Sequence, residues 1–250
     1  SRVPKPQDLR IIEMPDGRII LVDGGDNQMF ARYLAARAPG TSLGSPKEIE
    51  CIIVTHGDAD HFAGLTEIFK SETNEEPRKR LFITPKRVYH NGLVKRPEKD
   101  ANGKKRTDLE LLGPTQKVDG KTILTGLEEN LLNVPDAELN KYFKDWKEAL
   151  TAWNNRTPIQ FRRLSFGQDD AFDFLNQGDL HISVLGPFLT EKGNVKGLKF
   201  LGNPPKGPRI GHESLALDTE KFKGFSASHT INGHSIVFRL QYGGFSYLFS

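Results

Sequence analysis

The sequence predicts an α/β fold, and three observations carry that expectation. Apolar runs at 19–22, 51–54 and 180–185 have the length and β-branched content of buried strands. Between the early runs lie stretches whose apolar residues recur at three- and four-residue steps, the spacing of a helix with one buried face. Through residue 85 the order is strand, strand, helix, strand, helix, strand, a pattern that packs as sheet covered by helices.

Residues 9–14 read as the first strand. Asp16-Gly17 supplies a tight turn, and residues 19–22 return as a fully apolar strand ending at Asp23-Gly24-Gly25-Asp26. Met29, Phe30, Tyr33 and Leu34 mark one face of a helix over 27–37, which Pro39-Gly40 stops. Residues 51–54 form a buried strand. Phe62, Leu65, Ile68 and Phe69 line the helix that follows, and 81–84 is a further strand.

Residues 86–160 change character. A polar loop carries Lys95, Arg96, Lys99, Lys104, Lys105 and Arg106. One helix is clear there: Leu139, Tyr142, Phe143, Trp146, Leu150 and Trp153 recur at helical steps, with Pro135-Asp136 near its start. The stretch reads as a partly helical insertion, or cap, within a single domain spanning 1–250. Strand signals return at 180–185 and close at Gly186-Pro187. Residues 191–211, rich in Gly, Pro and Lys, read as a loop. The last strands, 235–240 and 245–249, turn at Tyr242-Gly243-Gly244.

Composition excludes several function classes. Lys and Arg total 35 against 32 Asp and Glu, a net charge of +3 that does not by itself indicate a nucleic-acid binder. The one cysteine, Cys51, rules out a disulfide scaffold and reads as a small buried hydrophobe. No apolar run is long enough to span a membrane, and the first residues lack the apolar stretch of a signal peptide. Cytoplasm is the default location on those grounds.

The chemistry concentrates in Thr55-His56-Gly57-Asp58-Ala59-Asp60-His61, directly after the buried strand. In extended backbone, residues two apart face the same side, so His56 and Asp58 can converge on one ion. A turn into the next helix lets Asp60 and His61 reach a second. The helix N-terminus there favours a carboxylate. Nitrogen and oxygen donors without thiolate suit one or two ions of Zn²⁺ or Mn²⁺. The plainer reading is a polar loop whose Asp residues cap the helix. It leaves the density of two imidazoles and two carboxylates unexplained.

The segment Thr55 to His61, followed by Phe62-Ala63-Gly64-Leu65, resembles the signature of the metallo-β-lactamase superfamily. Asp58 stands where that family usually has its second histidine, which is similar to the hydrolase domain of ComEC-type DNA-uptake proteins. Asp16-Gly17-Arg18 through Asp23-Gly24-Gly25, Val184-Leu185-Gly186-Pro187, and Asn232-Gly233-His234-Ser235 through Tyr242-Gly243-Gly244 resemble other segments of that branch. The resemblance covers roughly 10–85 and 178–250. It implies a four-layered αββα sandwich. It also implies that His56, Asp58 and His234 hold one metal and that Asp60 and His61 hold another. Asp60 is then the catalytic carboxylate, and Asp23 buttresses the loop from behind.

On the same resemblance the chain is expected to be clipped at both ends, with a bridging Asp and a final His beyond Ser250 and a first strand before residue 9. The implied activity is metal-dependent hydrolysis by an activated water. The substrate class would be a phosphodiester, either a small molecule or a nucleic acid. Hydrolysis of a lactone, amide or thioester is the alternative within the same chemistry. A catalytically impaired metal-binding module that binds a partner is the alternative outside it. Among the remaining histidines, His229 and His90 are possible substrate contacts, although a solvated loop and a strand end explain them as well. His181 reads as sheet, and His212 carries no reading.

Overall fold

The structure is a computed structural model that describes residues 10–175, 178–203 and 224–250. Its main sheet has five strands in the order β1 (Arg10–Glu13), β2 (Ile19–Val22), β4 (Cys51–Ile53), β6 (Arg87–His90), β9 (Gln160–Arg163). β1 and β2 form an antiparallel hairpin, and the pairings from β2 through β9 are parallel. Parallel neighbours need crossovers, and helices supply them. They are α1 (Met29–Arg37) between β2 and β4, α2 (Ala59–Ser71) between β4 and β6, and α4 (Lys141–Arg156) between β6 and β9. A short pair, β3 (Lys47–Ile49) with β5 (Ile83–Pro85), adjoins them.

Alternation along the central strands divides the interior into two cores. Leu21, Ile52 and Val88 join Phe30, Leu34, Leu65, Trp146 and Trp153 under the helices. Ile20, Val22, Cys51, Ile53 and Tyr89 face the opposite side. There they meet Leu180, Ile182 and Val184 of β10 (Leu180–Gly186), Phe238 and Leu240 of β13 (Val237–Tyr242), and Phe249 of β14 (Phe245–Phe249). β10, β13 and β14 make an antiparallel sheet. One helical layer and two sheets are therefore stacked in a mixed α/β arrangement. Cys51 is fully buried, and burial pushes its thiol well above the ordinary value.

The stretch over 86–160 contributes elements to the main sheet and to its helical core. β6 and β9, at its two ends, belong to the main sheet, and α4 lies in the main helical core rather than on a separate cap. Glu72 at the end of α2 ties α4 down: it accepts from Trp153 Nε1 at 3.2 Å and from both Arg156 Nη atoms at 2.8 and 2.6 Å. The rest of the excursion holds α3 (Asp108–Leu112) and a hairpin of β7 (Thr115–Val118) and β8 (Lys121–Leu124). Asp119-Gly120, at φ +50° and +73°, makes that hairpin's turn.

Residues 191–199, expected to be loop, are mostly strand. β11 (Thr190–Lys192) and β12 (Val195–Lys199) pair with each other, and β12 pairs with β8. Glycine misled the reading because Gly197 serves close approach: a Cβ there would sit 1.9 Å from the Leu124 carbonyl oxygen. Residues 204–211 of that expected loop, and His212, lie outside the described residues. Before the final hairpin, the chain forms a short helix, α5 (Ala227–Gly233), and β13 begins only at Val237. Among the described residues no helix is long and apolar enough to cross a membrane.

Two glycines set how closely α2 meets the end of β2. A Cβ on Gly64 would lie 2.0 Å from the Gly24 carbonyl oxygen, and one on Gly24 would lie 2.6 Å from Leu65 Cγ. Gly64→Ala is therefore expected to cost about 1–3 kcal/mol, as overpacking does. Urea unfolding measures it; a midpoint equal to the wild type would show that the helix and the loop do not meet this tightly.

Candidate metal centre

β4 delivers Val54 and Thr55 to the C-terminal edge of the main sheet, and the chain turns through His56-Gly57 into α2. Asp23 meets it there from the end of β2. Asp23 is 2% exposed and adopts φ +56°, a left-handed conformation that Asp tolerates better than most residues. Its Oδ1 accepts from the Thr55 backbone N–H at 2.8 Å. Its Oδ2 accepts from Thr55 Oγ1 at 2.7 Å and from His61 Nδ1 at 2.9 Å. A buried carboxylate is expensive without donors, and these three meet that demand.

These contacts fix two tautomers. An ionised carboxylate only accepts, so His61 carries its proton on Nδ1 and keeps the lone pair on Nε2. Ser235 Oγ donates to the Asn232 carbonyl at 2.8 Å and so accepts from His56 Nδ1 at 3.1 Å. The His56 lone pair is then on Nε2, which is buried and has no hydrogen-bond partner. The two rings stand 3.7 Å apart between centroids. Burial, followed by the neighbouring His61, holds the His56 imidazole below its ordinary pKa; Asp23, Asp58 and Asp60 pull the other way.

The two aspartates of the cluster behave differently. Asp58 occupies the N-cap of α2 but makes no side-chain cap bond. Its Oδ2 instead accepts from Asn232 Nδ2 of α5 at 2.9 Å. The plainer reading of Asp58 as a helix cap therefore has no support in the geometry. Asp60 lies exposed in the first turn of α2.

His234, at the C-cap of α5, is buried. Its Nε2 donates to the Lys199 carbonyl at 2.7 Å, which leaves Nδ1 as the nitrogen with a lone pair. Burial lowers its pKa. Its own carbonyl accepts from Asn91 Nδ2 at 2.9 Å. Of the residues singled out from the sequence, the fold thus gathers Asp23, His56 and His61. It sets Asp58 beside them through Asn232 and turns the His234 ring toward β12.

Both possible substrate contacts have other duties. His90 Nε2 donates to the Glu129 carbonyl at 3.1 Å, and its Nδ1 accepts from the Gly92 N–H at 3.0 Å, so neither nitrogen is left for a substrate. Burial pushes its pKa down to about 4. His229 is exposed, with Nδ1 2.8 Å from Ser226 Oγ at the start of α5. Thr55, Asn232 and Ser235 were missed as site residues. Thr55 and Ser235 directly precede and follow histidines, and that adjacency was the available signal.

The donor set fits a divalent cation: imidazole nitrogens and carboxylate oxygens, with no thiolate. The unpartnered His56 Nε2 argues for one directly. A buried polar atom left unsatisfied costs on the order of 1–3 kcal/mol, and a cation at that lone pair removes the cost. The side chains stop short of a finished coordination sphere. Among the described residues, no three His, Cys, Asp or Glu side chains stand together closely enough to hold an ion.

Residues 10–115 match the family model described as the metallo-beta-lactamase superfamily, whose members are usually metal-dependent hydrolases. That span contains Asp23 and the whole cluster from His56 to His61, but not His234. No curated protein and no solved structure matches the chain.

His90 makes the fold sensitive to acid. It stays neutral in the folded protein to about pH 4, whereas the unfolded chain takes up that proton near 6.5. Between those values the unfolded state binds more protons, so stability falls as the pH drops through this window and is level above it. His56 and His234 act in the same direction. His90→Gln is expected to be less stable at pH 7 yet to lose less on going to pH 4.5. Urea midpoints at the two pH values test this; an equal loss in both proteins removes His90 from the account.

Proposed function

We propose that this chain is a metal-dependent hydrolase that attacks phosphodiester bonds with a metal-activated water. The observation that carries the reading is the His56–His61 pair: two buried imidazoles with their proton-bearing nitrogens engaged, one of whose lone pairs has no partner in the protein. The family match of residues 10–115 supports the hydrolase class. The phosphodiester substrate rests on Asp58 standing in place of a histidine, as in the DNA-uptake branch that the motif resembles. The stack of helices and two sheets supports reading the fold as three layers of an αββα sandwich.

In this reading His56, Asp58 and His234 hold one ion, and Asp60 and His61 hold a second, Zn²⁺ or Mn²⁺. A bound ion lowers the pKa of a water and polarises the scissile bond. The chain's own groups do the positioning. Asp23 keeps His61 in one tautomer and one orientation, as a carboxylate behind a ligand histidine does. Ser235 does the same for His56, and Asn232 aims Asp58. Asp60, exposed in the first turn of α2, would take the proton of the attacking water in this reading. His234 has Nδ1 to offer while Nε2 stays on Lys199.

Metal content and turnover of bis(p-nitrophenyl) phosphate in Mn²⁺ or Zn²⁺ test the proposal together. The wild type is expected to retain metal after dialysis and to hydrolyse the ester. His61→Ala should abolish turnover, and Asp23→Asn should weaken metal binding about 10- to 100-fold. A protein that binds no metal, with turnover unaltered by His61→Ala, would end the hydrolase reading.

A further inference from the structure

Three strand ends meet at the candidate centre. β4 leads into Thr55 and His56, β6 leads into Asn91, and the chain enters β13 through His234 and Ser235. β4 and β6 are parallel neighbours, and Val54 N–H donates to the Tyr89 carbonyl at 2.9 Å, so Thr55 and Asn91 lie at the same sheet edge. Each pins the chain that enters β13. The Thr55 carbonyl accepts from Ile236 N–H at 2.8 Å, and Asn91 Nδ2 donates to the His234 carbonyl at 2.9 Å.

Asn91 is 2% exposed, and its partners give the amide one orientation. Leu93 N–H donates to Oδ1 at 3.0 Å. A backbone N–H needs an acceptor and a carbonyl needs a donor, so Oδ1 faces Leu93 and Nδ2 faces His234. Gly92, at φ +85°, makes the turn here, and a Cβ on it would stand 2.2 Å from Arg163 Cδ. His90 closes the turn: its Nδ1 accepts from Gly92 N–H at 3.0 Å, and its carbonyl accepts from Leu164 N–H at 2.8 Å. The turn is held by bonds of its own, and the Asn91 amide reaches out of it to His234. On the far side of that residue, the ring donates through Nε2 to the Lys199 carbonyl at 2.7 Å. Leu198 and Phe200, on either side of Lys199, are buried in one core with Ala227 and Ile231 of α5. A ring anchored by one nitrogen and a backbone anchored by its carbonyl together fix where Nδ1 stands.

We propose that Asn91 is a positioning residue for the metal: through the His234 backbone it holds Nδ1 in place for the ion shared with His56 and Asp58. The inference rests on His234 being a ligand, as the hydrolase reading has it. Partners that orient a ligand from behind are worth about 10- to 100-fold in metal affinity.

Zn²⁺ affinity, measured by competition with a chromophoric chelator, tests this without turnover. Asn91→Ala is expected to bind about 10- to 100-fold more weakly. Asn91→Asp keeps the acceptor for Leu93 N–H and loses the donor to His234. It too should bind more weakly, although its added negative charge would by itself attract a cation. Circular dichroism melts show that each variant is folded. His234→Ala removes the ring but leaves the carbonyl that Asn91 holds. Asn91→Ala in that background should therefore lower the urea midpoint as much as it does alone, yet cost no further affinity. With Co²⁺ in place of Zn²⁺, the visible bands follow the ligand set, and Asn91→Ala should shift them toward those of His234→Ala. Equal affinity losses with and without the His234 ring would overturn the inference, since Asn91 would then serve the turn alone. So would a His234→Ala protein that binds like the wild type. A wild type that binds no Zn²⁺ defeats the hydrolase reading and this inference with it. Binding that both Asn91 variants retain in full defeats the inference alone.

Discussion

One buried carboxylate sets the geometry of the loop on which the rest depends. Asp23 ends β2, yet its oxygens bind the backbone and hydroxyl of Thr55 after β4 and the ring of His61 in α2. A charge at 2% exposure cannot be left unpaired, so the three donors are held where the carboxylate needs them. The left-handed turn at Asp23 also points the next backbone at α2: Gly24 N–H donates to the His61 carbonyl at 2.6 Å, and Gly64 N–H donates to the Gly25 carbonyl at 2.8 Å. Side chains larger than hydrogen at 24 or 64 would push the helix away and open those contacts. The two glycines and the carboxylate therefore act as one device.

The second sheet completes the loop from the other side. Ile236 N–H donates to the Thr55 carbonyl at 2.8 Å, tying the entry of β13 to the exit of β4. That one bond sets Ser235 against His56, and α5 just before it sets Asn232 against Asp58. Ile236 itself is fully buried in the core between the sheets. The orientation of two cluster residues thus depends on how the sheets pack. A site held by elements with their own cores is more exact than one built on free loops.

How much of this was legible follows the range of each interaction. Strands β2, β4 and β10 announced themselves because a strand buried on both faces, or one facing a core, is locally apolar. Helix α4 did so through its run of core residues from Phe143 to Trp153. β9 did not: Gln160-Phe161-Arg162-Arg163 reads as polar, and only its place beside β6 at the sheet edge makes it a strand. α5 has too few residues to display a period. The Asp119-Gly120 turn is a local signal, with both residues at positive φ between β7 and β8. The His56–His61 cluster was legible because its members are neighbours in sequence. Of its orienting partners, Asp23 was expected through the family resemblance, but Asn232 and Ser235 were not, since they come from 174 and 179 residues away.

The excursion between β6 and β9 carries a helix with two faces, one in the core and one forming a wall of a groove beside Asp58. Phe143, Trp146, Ala149, Leu150 and Trp153 of α4 are buried, and Phe143 packs on Phe62 of α2 with ring centroids 4.8 Å apart. Lys141, Tyr142 and Lys144 project from the same turns into solvent. Helical geometry separates these duties, because residues one apart do not share a face. The wall facing the groove can therefore change its charge without touching the core. The core face cannot change without moving the wall, because Glu72, Trp153 and Arg156 lock the far end of α4 to α2. The spacing between the α4 wall and the Asp58 loop is then a property of the α2–α4 packing. It is set by aromatic contacts below the groove rather than by the charged residues that line it.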